Sequence, residues 1–292
     1  MKTILALVQH ACSSSQQINL DHSIKGIRDA SNQGAKLVLL QELHNYPYFC
    51  QQEDQSYFSL AESIPGPTTE TLGKLAAELG IVIVTSLFER RGPGIYHNTA
   101  VVIEKDGSIA GGYRKMHIPD DPGYYEKYYF TPGDQGFTPV ITSAGTLGVM
   151  VCWDQWFPEA ARLMALSGAE ILLYPTAIGW DLRDNQETRI SQQKAWMTIQ
   201  RSHAIANGIP VAACNRTGYE ADPSNQSEGI QFWGSSFIAN SFGEVLITAP
   251  EDQSAVILSS IDPKDSETTR QTWPFLRDRR IDAYDDLKKR FK

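Results

Sequence analysis

Short apolar runs alternate with amphipathic stretches along almost the whole chain. Residues 3–8, 36–40, 81–88, 98–104, 109–113, 147–151, 170–174, 209–214 and 255–261 read as strands. Several of these are continuously apolar, as strands buried on both faces are. Residues 19–32, 67–80, 158–167 and 186–207 read as helices. In the first, Ile24 and Ile27 share a face and Gly34 stands just past the end. The second opens at Pro67, with Thr68 and Thr71 as cap candidates, and runs to Gly80. Asp106-Gly107 forms a hairpin turn into 109–113, and a second hairpin joins 237–240 to 244–248 around Ser241-Phe242-Gly243. Two long irregular stretches remain, 114–135 and 175–185. The first carries too many aromatic residues for a disordered segment, and long ordered loops in compact folds are usually functional.

Strands with interleaved helices and hairpins predict an α/β fold, with a mixed sheet or two sheets covered by helices on their outer faces. No linker, repeat or low-complexity run divides the chain, so one domain over residues 1–292 is expected. The last part, about 263–292, is expected to pack on a neighbouring subunit, and its charged end, 278–292, reads as a surface helix or an arm over that neighbour.

Composition narrows the function. The chain is 41% hydrophobic and 21% charged, with a net charge of −8. A nucleic-acid binder needs a basic footprint, so that class is disfavoured. No apolar run approaches the ~18 residues of a membrane span. The apolar run at the start, Ile4–Val8, is too short for a signal peptide and predicts a first strand. Four cysteines without a CxxC pair are too sparse for a disulfide framework and read as reduced thiols in a cytoplasmic protein. None of the six histidines falls in an HxH or HExxH arrangement, so neither metal nor cofactor is expected.

Three chemically capable residues lie just past strand ends: Glu42 after 36–40, Lys115 after 109–113, and Cys152 after 147–151. Loops gather at strand ends in α/β sheets, and sites gather with them. Cys152 stands where a strand turns into the helical pattern opened by Trp153-Asp154-Gln155-Trp156-Phe157-Pro158. Donors at a helix start favour a thiolate, so this thiol is expected to ionise easily. A carboxylate can move its proton, and a fixed ammonium with the backbone N–H of Trp153 can hold the oxyanion of an attacked carbonyl. Taken singly, a solvated glutamate, a surface lysine and an inert buried cysteine explain the same residues.

Three segments set these residues in context: Leu40-Gln41-Glu42-Leu43, Tyr113-Arg114-Lys115-Met116-His117-Ile118-Pro119, and Gly148-Val149-Met150-Val151-Cys152-Trp153-Asp154. With 123–133 and Asn215-Arg216-Thr217-Gly218, they make the chain resemble the nitrilase superfamily of C–N hydrolases over nearly its whole length. The resemblance implies a four-layer α-β-β-α sandwich and a Glu-Lys-Cys triad, carried here by Glu42 as base, Lys115 for the oxyanion and Cys152 as nucleophile. It also implies a second glutamate, Glu126, that positions the substrate and Lys115. Subunit pairing through the helices at 158–167 and 186–207 follows from it too, giving a homodimer or larger homo-oligomer.

Within the superfamily the chain looks most like the N-carbamoylputrescine amidases, through Ala177-Ile178-Gly179-Trp180, residues 200–208 and Cys214-Asn215-Arg216. Relatives that hold a substrate carboxylate place arginines shortly after the nucleophile, where this chain has Gln155 and Trp156. A small substrate with a cationic amine tail is therefore expected, met by aromatic faces and acids. Tyr48, Tyr125, Trp180 and Asp181 are the candidate contacts. A β-ureidopropionase, another N-carbamoyl-amino-acid amidase, an ω-amidase and a non-catalytic scaffold remain as alternative readings.

Overall fold

A computed structural model describes residues 2–291; Met1 and Lys292, the outer limits of the expected domain and tail, lie outside the described residues. Two six-stranded sheets face each other. The first contains β1 (Thr3–Gln9), β2 (Leu37–Leu40), β3 (Val82–Gly92), β4 (Ile95–Ile103), β5 (Ile109–Arg114) and β15 (Ala255–Ile261), in the order β15-β1-β2-β3-β4-β5. The second contains β6 (Val140–Thr142), β7 (Gly145–Val149), β8 (Ile171–Pro175), β10 (Val211–Cys214), β13 (Phe237–Ala239) and β14 (Val245–Thr248), in the order β14-β13-β10-β8-β7-β6. In each sheet three parallel strands are flanked by antiparallel ones.

The parallel strands need crossovers, and helices supply them. α1 (Gln16–Asn32) and α2 (Pro67–Leu79) connect β1 to β2 to β3. The short α3 (Glu126–Tyr129) lies within the 114–135 loop. α4 (Pro158–Leu166) and α5 (Gln186–Asn207) connect β7 to β8 to β10. The period-2 alternation decides which face meets which layer. Leu5, Leu7, Leu37, Leu39, Val82 and Val84 join the core shared with the second sheet. Their neighbours Ala6, Val8, Val38, Leu40 and Ile83 pack with Ile27 and Ala30 of α1 and Leu72, Leu75 and Ala76 of α2. Across the second sheet, Ala160 and Met164 of α4 and Trp196 and Ala204 of α5 close the far side. The result is the four-layer α-β-β-α sandwich. Among the described residues no helix is long and apolar enough to cross a membrane.

Several boundaries differ from the sequence reading, each for a local reason. α1 begins three residues early because the Ser15 side chain accepts from Ile18 N–H. The cap of α2 is neither Thr68 nor Thr71. Thr69 Oγ1 accepts from Gly66 N–H at 2.8 Å and donates to the Gly66 carbonyl at 2.9 Å. A third sheet joins β9 (Gly179–Asp181), within the 175–185 loop, to β11 (Thr217–Glu220) and β12 (Ile230–Trp233), which were assigned no element from sequence. The tail begins with α6 (Pro263–Thr272) and continues as short turns at Ile281–Ala283 and Asp285–Lys288 rather than a surface helix.

Candidate active site

The three strand-end residues converge. Glu42, Lys115 and Glu126 are fully buried, and Cys152 is 5% exposed. Lys115 Nζ donates to Glu42 Oε1 at 2.8 Å and to Glu126 Oε2 at 2.6 Å. Asn98 Nδ2, from β4, donates to the same Glu42 Oε1 at 2.7 Å, and the Tyr48 hydroxyl donates to Glu126 Oε1 at 2.6 Å. Glu42 Oε2 is buried without a hydrogen-bond partner. An ammonium has three protons to donate, and two are used here.

Cys152 stands at the elbow after β7 with φ +42°, a left-handed conformation that costs a non-glycine residue on the order of 1–3 kcal/mol. Asp154 holds that elbow. Its Oδ2 accepts from Val151 N–H at 3.0 Å, while its Oδ1 accepts from His117 N–H at 3.1 Å and lies 2.6 Å from His117 Nδ1. His117 in turn stacks on Phe157, ring centroids 3.7 Å apart. One buried carboxylate therefore fixes the nucleophile's turn to the loop that carries Lys115.

The electrostatics correct one expectation. Burial pushes the Cys152 thiol well above its ordinary pKa, and the Glu42 charge adds to this against the pull of Lys115. The helix start cannot help, because Cys152–Trp156 is a single 3₁₀ turn and α4 opens only at Pro158. Burial and the Glu42 charge thus both favour the protonated thiol. Burial works against the Lys115 ammonium, but the Glu126 and Glu42 carboxylates outweigh it and hold its pKa well above normal. Burial raises the Glu126 carboxyl despite Lys115.

Cys152, Trp153 and Glu126 line a cavity of about 370 Å³ together with Tyr124, Trp156, Ile178 and Trp233. Asp121, Asp181 and Asp184 complete its wall, and no lysine or arginine contributes among the described residues. A more open groove of about 620 Å³, between α1 and β15, contains none of the triad. The third sheet shapes one side of the cavity: at Gly179 a Cβ would meet the Gln231 carbonyl at 2.4 Å, so the β9–β12 approach requires glycine.

The expected tail contacts separate. Asp181 is on the wall, but Arg183 pairs with it at 2.5 Å and holds its carboxyl low. Tyr48 lies behind Glu126, outside the lining. Tyr125 faces a neighbouring polar recess. Trp180 packs on Trp233 at 5.5 Å and donates its indole N–H to the Arg189 carbonyl. Of the two uncharged positions after the nucleophile, Trp156 lines the cavity, whereas Gln155 is buried and accepts from the Thr176 hydroxyl. Asn98 and Asp154 were given no role from sequence. Among the described residues no group of three His, Cys, Asp or Glu side chains is gathered to hold a metal ion.

Comparison with known proteins identifies the family. The chain is 43% identical to an N-carbamoylputrescine amidase of Oryza sativa subsp. japonica, over 97% of this chain and 93% of that one. It is 40% identical to a citrullinase of Francisella tularensis, over 98% of each. The crystal structure of a carbon-nitrogen hydrolase from Helicobacter pylori G27 superposes with a TM-score of 0.97 at 52% identity, covering all of both chains. Residues 4–271 match the carbon-nitrogen hydrolase family, and the chain belongs to that family, an enzyme of the nitrilase superfamily that hydrolyses C–N bonds.

Proposed function

We propose that the enzyme hydrolyses N-carbamoylputrescine to putrescine, CO2 and ammonia, a step of polyamine biosynthesis. The observation that carries this reading is the cavity wall. It joins three aspartates and several aromatic rings beside the thiol and, among the described residues, includes no lysine or arginine to meet a substrate carboxylate. An amine tail gains from both features. The similarity to the rice amidase supports the same substrate.

In the proposed reaction Glu42 Oε2 takes the thiol proton and the sulfur attacks the ureido carbon. The third proton of Lys115 Nζ and the Trp153 N–H hold the oxyanion. Glu42 then protonates the departing ammonia, leaving an S-carbamoyl thioester on Cys152. Water adds to its carbonyl with Glu42 as base, and the released carbamic acid decomposes to CO2 and the amine. Glu126 orients Lys115 and the substrate. A protonated resting thiol suits this order, because the base must act before the attack.

Steady-state kinetics on N-carbamoylputrescine, citrulline, N-carbamoyl-β-alanine and a small ω-amide test the proposal. The highest kcat/KM is expected for N-carbamoylputrescine, with no turnover by Cys152→Ala. Preference for the anionic N-carbamoyl-β-alanine would overturn it. A citrulline-preferring enzyme is the second reading, supported by the Francisella relative; citrulline shares the ureido group but ends in a zwitterion. We further propose a homo-oligomer paired through α4 and α5, whose exposed Leu163, Leu166, Ile190 and Ile205 suit an apolar contact. A monomeric mass in solution would contradict it.

A further inference from the structure

One fully buried cation plays no part in the proposed chemistry. Arg216 lies between β10 and β11, with its side chain completely enclosed. Its Nη2 donates to two successive carbonyls, Glu42 O at 3.1 Å and Leu43 O at 2.9 Å. Its Nη1 donates to Tyr46 O at 2.8 Å and to Glu220 Oε1 at 2.7 Å. Glu220 Oε2 then accepts from Tyr48 N–H at 2.5 Å. The guanidinium carbon lies 5.4 Å from the centre of the Phe232 ring. The pair thus binds the backbone at both ends of residues 42–48.

That short stretch begins with the proposed base and ends with the tyrosine that holds Glu126. It also contains Leu43 at φ +48°, a left-handed conformation in a residue that is not glycine. Such a conformation persists only where the surroundings impose it. The contacts close a circuit. From the Glu42 carbonyl it passes through Arg216 and Glu220 to Tyr48, then through Glu126 and Lys115 back to the Glu42 carboxylate. A planar fork with five N–H donors can serve four acceptors at once; a lysine ammonium cannot.

We propose that Arg216 and Glu220 are positioning residues that clamp the Glu42–Tyr48 backbone and so aim the Glu42 carboxylate at the Cys152 thiol. This inference rests on Glu42 acting as the base. At its Glu42 end the clamp reaches the base only through the backbone, so its loss there should slow proton removal rather than weaken substrate binding.

The test compares wild type, Arg216→Lys, Glu220→Gln and Glu42→Gln by rate of Cys152 alkylation with iodoacetamide against pH, and by kcat and KM. Thermal melts identify which variants are folded. Glu220→Gln changes no volume and carries the test should Arg216→Lys fail to fold. Folded clamp variants are expected to alkylate at least tenfold more slowly at neutral pH. They should approach the wild-type rate at high pH, where the thiol ionises unaided. Their kcat should fall by a similar factor with KM within about twofold. Glu220→Gln, which leaves the Arg216 contacts to the Glu42 and Leu43 carbonyls, should lose less than Arg216→Lys. If Glu42→Gln changes the alkylation profile and the folded clamp variants do not, the clamp is overturned. If Glu42→Gln leaves the profile unchanged, the base assignment falls and the clamp with it. Alkylation needs no substrate, so a wrong substrate assignment leaves this outcome readable.

Discussion

Lys115 Nζ and Glu42 Oε1 lie 2.8 Å apart, and Asn98 donates to the same oxygen, so both known partners of the Glu42 carboxylate occupy one of its two atoms. Oε2 stays buried and unpartnered, which is costly unless something else uses it. In the proposed reaction, the thiol proton and then the leaving ammonia supply that use. Glu42→Gln keeps shape and replaces the proton carrier with an amide. It should lower kcat by ~10²–10⁴-fold, the usual worth of a positioned acid or base. The protein should remain folded by circular dichroism. Retention of near wild-type kcat would remove Glu42 from the proton transfers.

The raised Cys152 pKa makes a separate prediction. Burial and the Glu42 charge disfavour the thiolate, so its fraction grows only as pH rises beyond the ordinary thiol range. The difference in ultraviolet thiolate absorbance between wild type and Cys152→Ala should be flat through neutral pH and rise only in strongly alkaline solution. A thiolate band that titrates near neutrality would mean a preformed thiolate–ammonium pair with Lys115, and no need for a base in the first step.

The three residues stood out in the sequence because each lies within two residues of a strand end read there, where the chain must leave the sheet. The partners of the triad did not. Asn98 reads as one more residue of a strand, and only the pairing of β3 with β4 and the position of β2 bring its amide to Glu42. Arg216 is separated from Glu42 by most of the chain, so its hydrogen bonds leave no local signal. The alternation of strands and helices left a mixed sheet or two helix-covered sheets open, and the resemblance to the superfamily implied the four-layer sandwich. The third sheet was not legible, since β9 has three residues, β11 and β12 have four each, and so short a run gives no usable periodicity. The thiol's ionisation was misjudged because its burial beside Glu42 leaves no trace in the sequence, and because a 3₁₀ turn stands between Cys152 and the real helix start at Pro158.

Two buried histidines should make the fold sensitive to mild acid. His10 Nε2 lies 2.9 Å from Ser23 Oγ, which is 2.8 Å from His44 Nδ1, and His44 Nε2 lies 2.7 Å from Thr85 Oγ1. Burial lowers the His10 pKa to about 4 and holds that of His44 well below normal. As pH falls through 6.5 toward 4, the unfolded chain gains protons on these rings that the folded protein refuses. Stability therefore falls across that window, by up to about 1.4 kcal/mol per pH unit for each ring and about 3 kcal/mol in all for His10. Glu126 acts with the opposite sign, because its raised pKa lets the folded state bind a proton first. The test is accordingly a difference: denaturant unfolding of wild type and His10→Asn between pH 7 and about 4. The wild type should lose more stability on acidification. Parallel curves would show that His10 is not held neutral by the fold.

The acids on the cavity wall differ in how much charge they can offer an amine. Asp181 is bound through both oxygens by Arg183, and Asp184 accepts from Gln192 Nε2 at 2.8 Å. Asp121 is exposed on the same wall and follows Pro119 and Asp120 in the loop that leads to Glu126. Its charge is the one least committed to the protein, and it is the expected partner of the substrate ammonium. An exposed ion pair contributes roughly 0.2–1 kcal/mol. Asp121→Asn should therefore raise KM for N-carbamoylputrescine about 1.5- to 5-fold with kcat nearly unchanged, since the tail is bound equally before and during reaction. Asp181→Asn should also raise KM, because it leaves Arg183 an uncompensated cation beside the cavity. An uncharged substrate such as N-butylurea should not distinguish wild type from Asp121→Asn. Equal KM changes for the charged and uncharged substrates would assign Asp121 to loop structure instead of ammonium binding.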